Sequence, residues 1–343
     1  MGDRVKRLSG MARHVLCGLS AWVLTAAHAW AGPQSTLDPQ GPVAQMQHQV
    51  FMVSVVVCTA VFLLTAGLLV YAVWRFRARP GHTEATSHPA VHGNPKLEAS
   101  LIAVVTLLLL IIAVPNIRVL FAASEPPDVE NALRIDVVGK QWWWQFSYPS
   151  LEVETANELH IPVGRTVIAQ LRTDDVIHSF WVPKLAGKMD LIPNKINHLW
   201  FQADAPGVYY GQCAEFCGSS HANMRLRVIA HPEDAFASWI EAQQAAAKAP
   251  TEPLAQEGAQ VFQQRCTACH AVAGTSANGK TGPNLTHFGS RQTLAAGLLP
   301  NSPSHVARWL QNPQAVKPGS LMPNLGLSEA EVQALTAYLQ QLK

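Results

Sequence analysis

The chain has 343 residues, of which 48% are hydrophobic and only 14% are charged. An ordinary soluble protein is about one-quarter charged, so the low charged fraction indicates membrane-spanning segments, and the length allows two or three domains. The formal net charge of +2 gives no reason to expect nucleic acid or a strongly acidic molecule as a partner.

Residues 1–31 have the pattern of a secretory signal peptide. A basic region, residues 4–13, precedes the apolar stretch VLCGLSAWVLTAA, and small residues allow cleavage near Ala31. The alternative is a first membrane helix, but the apolar run is too short to span a bilayer comfortably. We therefore expect residues 1–31 to be removed from the mature protein.

Two longer apolar segments predict a transmembrane hairpin within residues 32–124. Residues 50–74 contain no charged residue over 25 positions, and residues 99–117 contain none over 19. Each segment is long enough to cross the roughly 30 Å hydrocarbon core of a bilayer as a helix.

The charges that flank these segments predict the orientation of the hairpin. The connector 75–98 carries four basic residues, whereas residues 32–49 carry no lysine or arginine. By the positive-inside rule the connector is cytoplasmic. We therefore expect a two-pass protein of the bacterial inner membrane whose termini and C-terminal domains face the periplasm.

Residues 125–241 form the next predicted domain, in which about residues 128–231 alternate apolar and polar positions as β-strands do. The short segments LRIDVV, TVIAQL, INHLWFQA and RLRVIA are separated by turn signals such as PVG and APG. Regularly spaced short strands favour a Greek-key sandwich or barrel. The following residues 242–253, rich in alanine and proline, predict a semi-stiff linker.

Residues 254–343 have helical rather than strand spacing. Ser328 is the predicted N-cap of the last helix, and Glu331, three residues on, completes a capping box. Few strand signals interrupt this segment, so we expect a small all-α domain.

The helical segment carries the haem-attachment motif CTACH, residues 266–270. In this motif the thiols of Cys266 and Cys269 add to the haem vinyl groups, and His270 ligates the iron. A bare CxxC could form a redox disulfide or half a zinc site, but the adjacent histidine and the lack of any later cysteine argue against zinc. Met322 is the only methionine after His270, and a thioether opposite the histidine suits electron transfer.

The turn GPNL and the dipeptide MP, which follow the CTACH motif, strengthen this interpretation. Pro283 of the turn is expected to pack against His270 and orient it. With a last helix that contains Tyr338, these motifs resemble those of class I cytochromes c over residues 254–343.

A second group of metal-ligating residues lies in GQCAEFCGSSHANM, residues 211–224. Cys213 and Cys217 could pair as a disulfide in an exported domain, but a disulfide leaves His221 and Met224 unexplained. Zinc accepts thiolate and imidazole but seldom thioether, whereas copper accepts all three. Because a mononuclear copper site uses one thiolate, two cysteines favour two coppers bridged by both sulfurs.

Such a centre needs a second histidine. His178, at the end of a predicted strand in DDVIHSFWVP, is the best candidate. The other candidates are interpreted as polar surface residues, namely His160, His198 and His231. His287 and His305 are interpreted as surface or polar-core residues.

The stretches DVIHSFWVPKLAGKMDLIPN and GVYYGQCAEFCGSSHANM resemble subunit II of cytochrome c oxidase, in which a cupredoxin domain holds the dinuclear copper centre CuA. The resemblance covers about residues 40–231. It implies that the Glu215 carboxylate faces a magnesium ion shared with the catalytic subunit. The copper ligands that it implies are the backbone carbonyl of Glu215 and the side chains of His178, Cys213, Cys217, His221 and Met224.

The resemblance also implies roles for two residues outside the metal motifs. Residues 142–144 are all tryptophan and alternate faces in a strand, so at least one is solvent-facing unless covered, and core packing is the ordinary cause of such clusters. The matching family position implies that electrons enter from cytochrome c at Trp142. Glu98, which could be an ordinary charge at a helix start, matches a glutamate at the mouth of a proton-uptake path into the catalytic subunit.

A haem c domain behind a copper domain resembles subunit II of a caa3-type oxidase. The resemblance implies that a cytochrome bc complex or a small cytochrome c reduces the haem, which in turn reduces CuA. A separate haem–copper subunit I, in a proton-translocating complex with further subunits, then reduces oxygen to water. No motif in this chain provides an oxygen-binding site.

The same residues favour or disfavour several other functions. A free electron carrier or a nitrous-oxide-type reductase would share the copper centre, but the reductase needs a further histidine-rich site, and this chain has two membrane spans instead. A quinol-oxidase subunit II lacks the copper ligands that are present here. The remaining alternative is the electron-entry subunit of a nitric oxide reductase-type complex. The residues of this chain do not distinguish it from an oxidase subunit, because the catalytic subunit is a separate chain.

Overall fold

The computed structural model describes residues 32–77 and 93–343. The predicted signal peptide and most of the basic connector, residues 78–92, lie outside the described residues. The chain divides into two units, of which one is Gln45–Glu125 and the other combines the residues before Gln45 with Pro126–Lys343.

Two helices among the described residues are long and apolar enough to cross a membrane, α1 (Pro42–Phe76) and α2 (Pro95–Ser124). They confirm the expected pair of membrane helices, and each extends beyond its uncharged segment at both ends. The first turn of α2 is capped by Asn94, whose side chain accepts hydrogen bonds from the backbone N–H groups of Lys96 and Leu97.

The second unit contains a β-sandwich. In the described chain its strands are β1 (Leu133–Lys140), β2 (Trp143–Tyr148), β3 (Val153–Ala156), β4 (Glu158–Pro162), β5 (Val167–Thr173), β6 (His178–Trp181), β7 (Met189–Leu191), β8 (Asn197–Phe201), β9 (Gly207–Cys213) and β10 (Arg225–His231). One sheet has the order β3-β2-β1-β5-β8 and the other the order β4-β10-β9-β6-β7. The parallel pairs β1–β5 and β4–β10 join strands through long crossovers, so neither sheet is a simple meander.

Alternate strand residues fill the space between the two sheets, as the sequence predicts. Trp144, Phe146, Leu171 and Phe180 are fully buried there. Trp144 and Phe180 come from different sheets and meet edge to face, with ring centroids 5.7 Å apart. The observed layers confirm the expected cupredoxin-like sandwich.

A helix, α3 (Glu233–Gln244), follows the sandwich and buries Phe236 and Ile240. The connection to the next helix comprises residues 245–252. Within it, the N–H of Ala247 donates a hydrogen bond of 3.0 Å to the carbonyl of Ala273. The connection therefore lies against the C-terminal domain over part of its length.

The C-terminal domain, all of whose residues are described, contains α4 (Pro253–Arg265), α5 (Pro303–Gln311), α6 (Pro313–Val316) and α7 (Glu329–Gln341). Ser328 and Glu331 form the predicted capping box at the start of α7. A short hairpin that the sequence did not predict, β11 (Thr293–Leu294) and β12 (Leu299–Pro300), lies between the helices.

Helices α4 and α7 approach each other closely at Gly258. A Cβ atom at this position would collide with the carbonyl of Ala334, so only glycine permits the crossing. Phe262 and Tyr338 pack beside it with ring centroids 5.4 Å apart. The haem motif follows directly after α4, so this crossing also positions the motif.

The hairpin β11–β12 docks the helical domain onto the sandwich. The buried carboxylate of Glu158 accepts hydrogen bonds from the N–H groups of Gln292 (3.0 Å) and Thr293 (2.7 Å) and from the Thr293 hydroxyl (2.7 Å). The N–H of Arg225 donates to the carbonyl of Ala296 at 3.1 Å. Ala296 has a φ of 62°, an unfavourable backbone conformation for alanine that these contacts stabilise.

Candidate metal centres

Neighbouring strands bring the predicted copper residues together. His178 is the first residue of β6 and Cys213 the last of β9, and the two strands pair with Phe180 opposite Cys213. The loop after β9 returns to β10 and is closed by a 2.9 Å hydrogen bond from the Cys213 N–H to the Met224 carbonyl. Strand pairing thus places residues 35 positions apart in sequence side by side.

The five predicted side-chain ligands form one cluster. The Sγ atoms of Cys213 and Cys217 lie 3.8 Å apart, and both residues are free thiols rather than a disulfide. Cys213 Sγ lies 3.8 Å from Nδ1 of His178. Cys217 Sγ lies 3.5 Å from Nδ1 of His221 and 3.9 Å from Sδ of Met224. The two sulfurs therefore lie between two imidazoles, with the thioether beside Cys217.

The donor types and their burial fit copper. His178, Cys213, Cys217 and Met224 are buried, and His221 is half-buried. The ligand atoms of His178, Cys213 and Cys217 all lie within 4.8 Å of one another, close enough for a shared metal ion. Thiolate, imidazole and thioether together suit copper better than zinc or a hard cation such as magnesium.

The two sulfurs do not both ionise on their own. A hydrogen bond from the Cys217 thiol, stronger than the opposing effect of burial, lowers the pKa of Cys213 to about 4. The same interaction, together with burial, raises the pKa of Cys217 far above its ordinary value. The pair by itself keeps one proton, and a bound metal ion is what would let both sulfurs act as thiolate ligands.

Asp175 orients His178, and the sequence analysis missed it. Asp175 Oδ1 lies 2.7 Å from Nε2 of His178, which leaves Nδ1 facing Cys213. Burial alone would raise the pKa of Asp175, but hydrogen bonds from His178 and from the N–H groups of Gln141 and Val176 lower it to about 2. A carboxylate behind a ligand histidine commonly fixes the ring. The available signal was an acid three positions before the histidine in DDVIH.

Glu215 directs its carbonyl into the cluster and its side chain outward. The Sγ atom of Cys213 lies 3.2 Å from this carbonyl oxygen. The Glu215 carboxylate is exposed. This placement is compatible with a carbonyl donor at the copper site and with a carboxylate that is accessible to another subunit.

The CTACH motif lines a cavity of about 390 Å³. The predicted haem residues all belong to its wall: Cys266, Cys269, His270 and Met322. Nδ1 of His270 lies 2.8 Å from the carbonyl of Pro283, which is the orienting contact expected from the sequence. The bond leaves Nε2 as the ring nitrogen that can ligate iron.

The remaining wall of the cavity fits a haem. It is largely apolar, with side chains that include Phe262, Leu285, Phe288, Val306, Trp309, Leu310, Leu335 and Leu339. Gly282 lies against the ring of His270, and a Cβ atom there would be 2.6 Å from Cε1 of the imidazole. Glycine therefore lets the backbone pass beside the proposed iron ligand.

Trp142 contacts the sulfur-rich loop and the cavity that the CTACH motif lines. Its indole N–H donates to the carbonyl of Cys217 at 2.9 Å, and the residue belongs to the wall of the cavity. The side chain is only 8% exposed because Gly319 of the helical domain packs on the ring. Of the three tryptophans, Trp144 fills the sandwich core, Trp143 is half-buried, and Trp142 is covered by the second domain.

His160 and His231, expected at the surface, are half-buried and contact each other. Nδ1 of His160 lies 2.8 Å from Nε2 of His231, and the His160 ring stacks on Trp239 with centroids 4.1 Å apart. Burial, reinforced by the charge of His231, lowers the pKa of His160 to about 3. His198 is exposed and His287 is buried, in agreement with surface and polar-core positions.

Family models match two segments of the chain. The first is described as cytochrome C oxidase subunit II, periplasmic domain, and matches residues 150–231. The second is described as cytochrome c and matches residues 255–343. The first segment contains the sulfur cluster and the second contains the CTACH motif.

Known relatives match over nearly the whole chain. Cytochrome c oxidase subunit 2 of Alkalihalophilus pseudofirmus is 41% identical over 90% of this chain and 91% of the relative. The protein of the same name from Bacillus subtilis is 33% identical over 90% of this chain and 92% of the relative. A solved structure, the periplasmic domain of subunit II of cytochrome oxidase from Bradyrhizobium japonicum, is 34% identical over 35% of this chain and 97% of its own, with a TM-score of 0.33. The chain belongs to the cytochrome c oxidase subunit II family and carries a cytochrome c domain at its C-terminal end.

Proposed function

We propose that this subunit of a haem–copper oxidase relays electrons from a donor through haem c to CuA and on to catalytic subunit I. The residues proposed to hold haem c are Cys266, Cys269, His270 and Met322. The residues proposed to hold CuA are His178, Cys213, Cys217, His221 and Met224, with the backbone carbonyl of Glu215.

When bound, the haem and the copper pair each supply a one-electron couple. The chain's own residues provide a rigid and nearly dry setting for both. Cys213, Cys217 and Met224 are almost completely buried, and Asp175 fixes the ring of His178 from behind. A preorganised environment of this kind needs little rearrangement when the charge of the site changes.

The observation that carries the proposal is the position of Trp142. This side chain lines the haem cavity and donates a hydrogen bond to the carbonyl of Cys217. From the cavity wall to the Cys217 sulfur, the path consists of one indole, one hydrogen bond and the covalent bonds of one residue. Because the helical domain is tethered and docked, the haem does not have to diffuse to the copper.

The proposal extends to the partners and the orientation in the membrane. The donor is a cytochrome bc complex or a small cytochrome c, and the acceptor is a subunit I that reduces oxygen to water in a proton-translocating complex. The exposed Glu215 carboxylate would face a magnesium ion at the subunit interface, and Glu98, exposed in the first turn of α2, would serve proton entry. The basic connector faces the cytoplasm, and both termini face the periplasm.

Electron paramagnetic resonance of the purified, oxidised complex tests the copper assignment. We expect one unpaired electron shared equally by two copper nuclei, and covalent haem in the same polypeptide. A lone copper, a zinc ion or a disulfide at Cys213 and Cys217 would overturn the proposal. The catalytic subunit that co-purifies, through its active-site ligands, distinguishes oxygen reduction from nitric oxide reduction.

A further inference from the structure

Lys317 is a buried cation where the helical domain meets the copper domain. It lies in the loop that leads to Met322 and is only 4% exposed. Its Nζ donates hydrogen bonds to the carbonyl of Trp142 at 2.6 Å and to the carbonyl of Ala295 at 3.0 Å. One ammonium group therefore joins the copper domain to two segments of the helical domain.

Neither of these acceptors carries a charge that balances the ammonium. A lysine has three N–H donors, and a fully buried lysine is normally paired with an acid. Among the ion pairs of the described residues, none includes Lys317. Burial is the largest cause that lowers the pKa of Lys317, to about 7, and the nearby charge of Arg225 adds to this shift. Two backbone carbonyls alone do not compensate for burying the charge.

The cavity lined by Lys317 has a basic wall. Among the described residues that line it, three are basic, Arg265, Arg291 and Lys317, and none is an aspartate or a glutamate. Arg265 forms an ion pair of 3.7 Å with Glu331, and Arg291 is stabilised by the nearby charge of Glu158. Lys317 is the cation for which the described chain supplies no carboxylate neighbour.

We propose that Lys317 binds a carboxylate of the haem and, through the carbonyl of Trp142, fixes that edge of the haem against the copper domain. The inference rests on the proposed function, because it takes haem c to occupy this cavity. Haem carries two propionate carboxylates, and a hydrogen bond between an ammonium and a carboxylate is of the strong, charge-assisted type. Lys317 is thus both a binding residue for the haem and a positioning residue for electron transfer.

A cation at this place affects the haem potential. A positive charge near the iron stabilises the reduced haem, which carries one more electron than the oxidised form. Methionine has nearly the length of lysine but no charge, so Lys317→Met should lower the reduction potential. Lys317→Arg retains the positive charge, so its reduction potential should stay close to that of the wild type.

Redox titration of haem c in the purified oxidase complex tests the proposal. In Lys317→Met we expect the ferric–ferrous equilibrium to shift toward ferric haem by about tenfold, which is about 59 mV for a one-electron couple. If methionine is not tolerated, Lys317→Gln gives the same comparison. Lys280→Met removes an exposed lysine of the same domain and should change the potential little, because water and salt screen its charge.

A neutral interface variant separates the charge of Lys317 from the docking of the domain. The Ser220 hydroxyl donates to the carbonyl of Pro318 at 2.6 Å, so Ser220→Ala loosens the same contact without changing any charge. A lowered potential in Lys317→Met and an unchanged one in Ser220→Ala support the proposal. Equal shifts in these two variants, or a shift in Lys317→Met no larger than in Lys280→Met, overturn it. A wild-type chain without covalent haem would instead contradict the proposed function.

Discussion

The sulfur cluster and the haem cavity are built from different lengths of chain. Four of the proposed copper side chains come from residues 213–224, and the fifth, His178, lies on a strand that pairs directly with β9. The proposed haem cavity would take its ligands from residues 266–270 and Met322, and part of its wall is residues 141–143 of the sandwich domain. The sulfur cluster is thus complete within one sandwich, whereas the cavity proposed for haem is complete only when two domains dock.

Because the two sites are built from different parts of the chain, mutations at one site should have different effects from mutations at the interface. A change at a copper ligand should remove the copper centre and leave the haem attached, since no proposed ligand is shared. A change at the interface should disturb transfer between the centres and leave the copper centre intact. Variants of the two kinds therefore test whether the two sites are independent of each other.

The largest effect is expected for Cys217→Ser. Cys217 Sγ is the atom that approaches Cys213, His221 and Met224, so its removal takes away the proposed bridge. We expect the dinuclear copper signal and the oxidase turnover to fall to background, while covalent haem c remains. Electron paramagnetic resonance, metal analysis and oxygen uptake measure these outcomes.

The matched control for this change is Cys58→Ser. Cys58 is an exposed thiol on α1 outside both centres, so the same substitution there should leave copper and turnover unchanged. Survival of the dinuclear signal in Cys217→Ser, or loss of haem along with the copper, would contradict the independence of the two sites.

A smaller effect on the same cluster is expected for Asp175→Asn. The variant removes the charge behind His178 but keeps the size of the side chain. Loss of such a supporting contact lowers metal affinity by roughly 10- to 100-fold. Competition with a copper chelator measures the change, and Asp174→Asn, at the exposed neighbouring position, should bind copper like the wild type. Equal copper affinities in the two variants would show that Asp175 does not support the copper site.

The sequence was sufficient to predict that the sulfur cluster comes together because its spacing is local. Cys213, Cys217, His221 and Met224 share one stretch of 12 residues, and His178 was chosen as the second histidine because it lies at the end of a predicted strand. Asp175 was missed although it is only three residues from His178, because a loop acid is ordinary until the direction of the imidazole is known. The capping box of Ser328 was predicted for the same reason that the cluster was, since its two partners are close in sequence.

For transfer between the centres, Trp142→Phe should have a moderate effect. Phenylalanine keeps an apolar ring on the cavity wall but lacks the N–H that bonds to the carbonyl of Cys217. We expect electron transfer from haem c to copper to slow by about tenfold, equivalent to roughly 1.4 kcal/mol of activation free energy. Rapid reduction of the haem followed by optical detection of copper reduction measures the rate.

The neighbouring variant Trp143→Phe is the control, because it loses an indole from the same cavity wall without touching the carbonyl of Cys217. Equal rates in the two variants, or a wild-type rate in Trp142→Phe, would show that the contact of Trp142 with the copper loop does not matter for transfer.

The docking of the two domains could not be predicted from the sequence. Glu158 lies in an ordinary strand, 134 residues before Gln292, and no local pattern indicates that their surfaces meet. The same holds for Lys317, whose contact with Trp142 spans 175 residues. Such contacts depend on the shapes of two finished domains, which periodicity and motif spacing do not encode.

The smallest effect on the metal centres, and the most direct test of docking, is expected for Glu158→Gln. The amide loses the charge that accepts from the N–H groups of Gln292 and Thr293, and hydrogen bonds to a charged group contribute roughly 1.5–3 kcal/mol each. Hydrogen exchange at these two amides should become at least about tenfold faster. The copper signal should be unchanged.

Glu154→Gln provides the comparison for this last variant. Glu154 is an exposed acid of the adjacent strand β3 and bonds to the side chain of Gln145 rather than to the helical domain. In Glu154→Gln, hydrogen exchange at the amides of Gln292 and Thr293 should be as slow as in the wild type. If Glu158→Gln also left this exchange unchanged, the hairpin would not be held by the carboxylate. If it instead removed the copper signal, the sandwich would not support its metal centre independently of the docked domain, and the contrast between the two sites would fail.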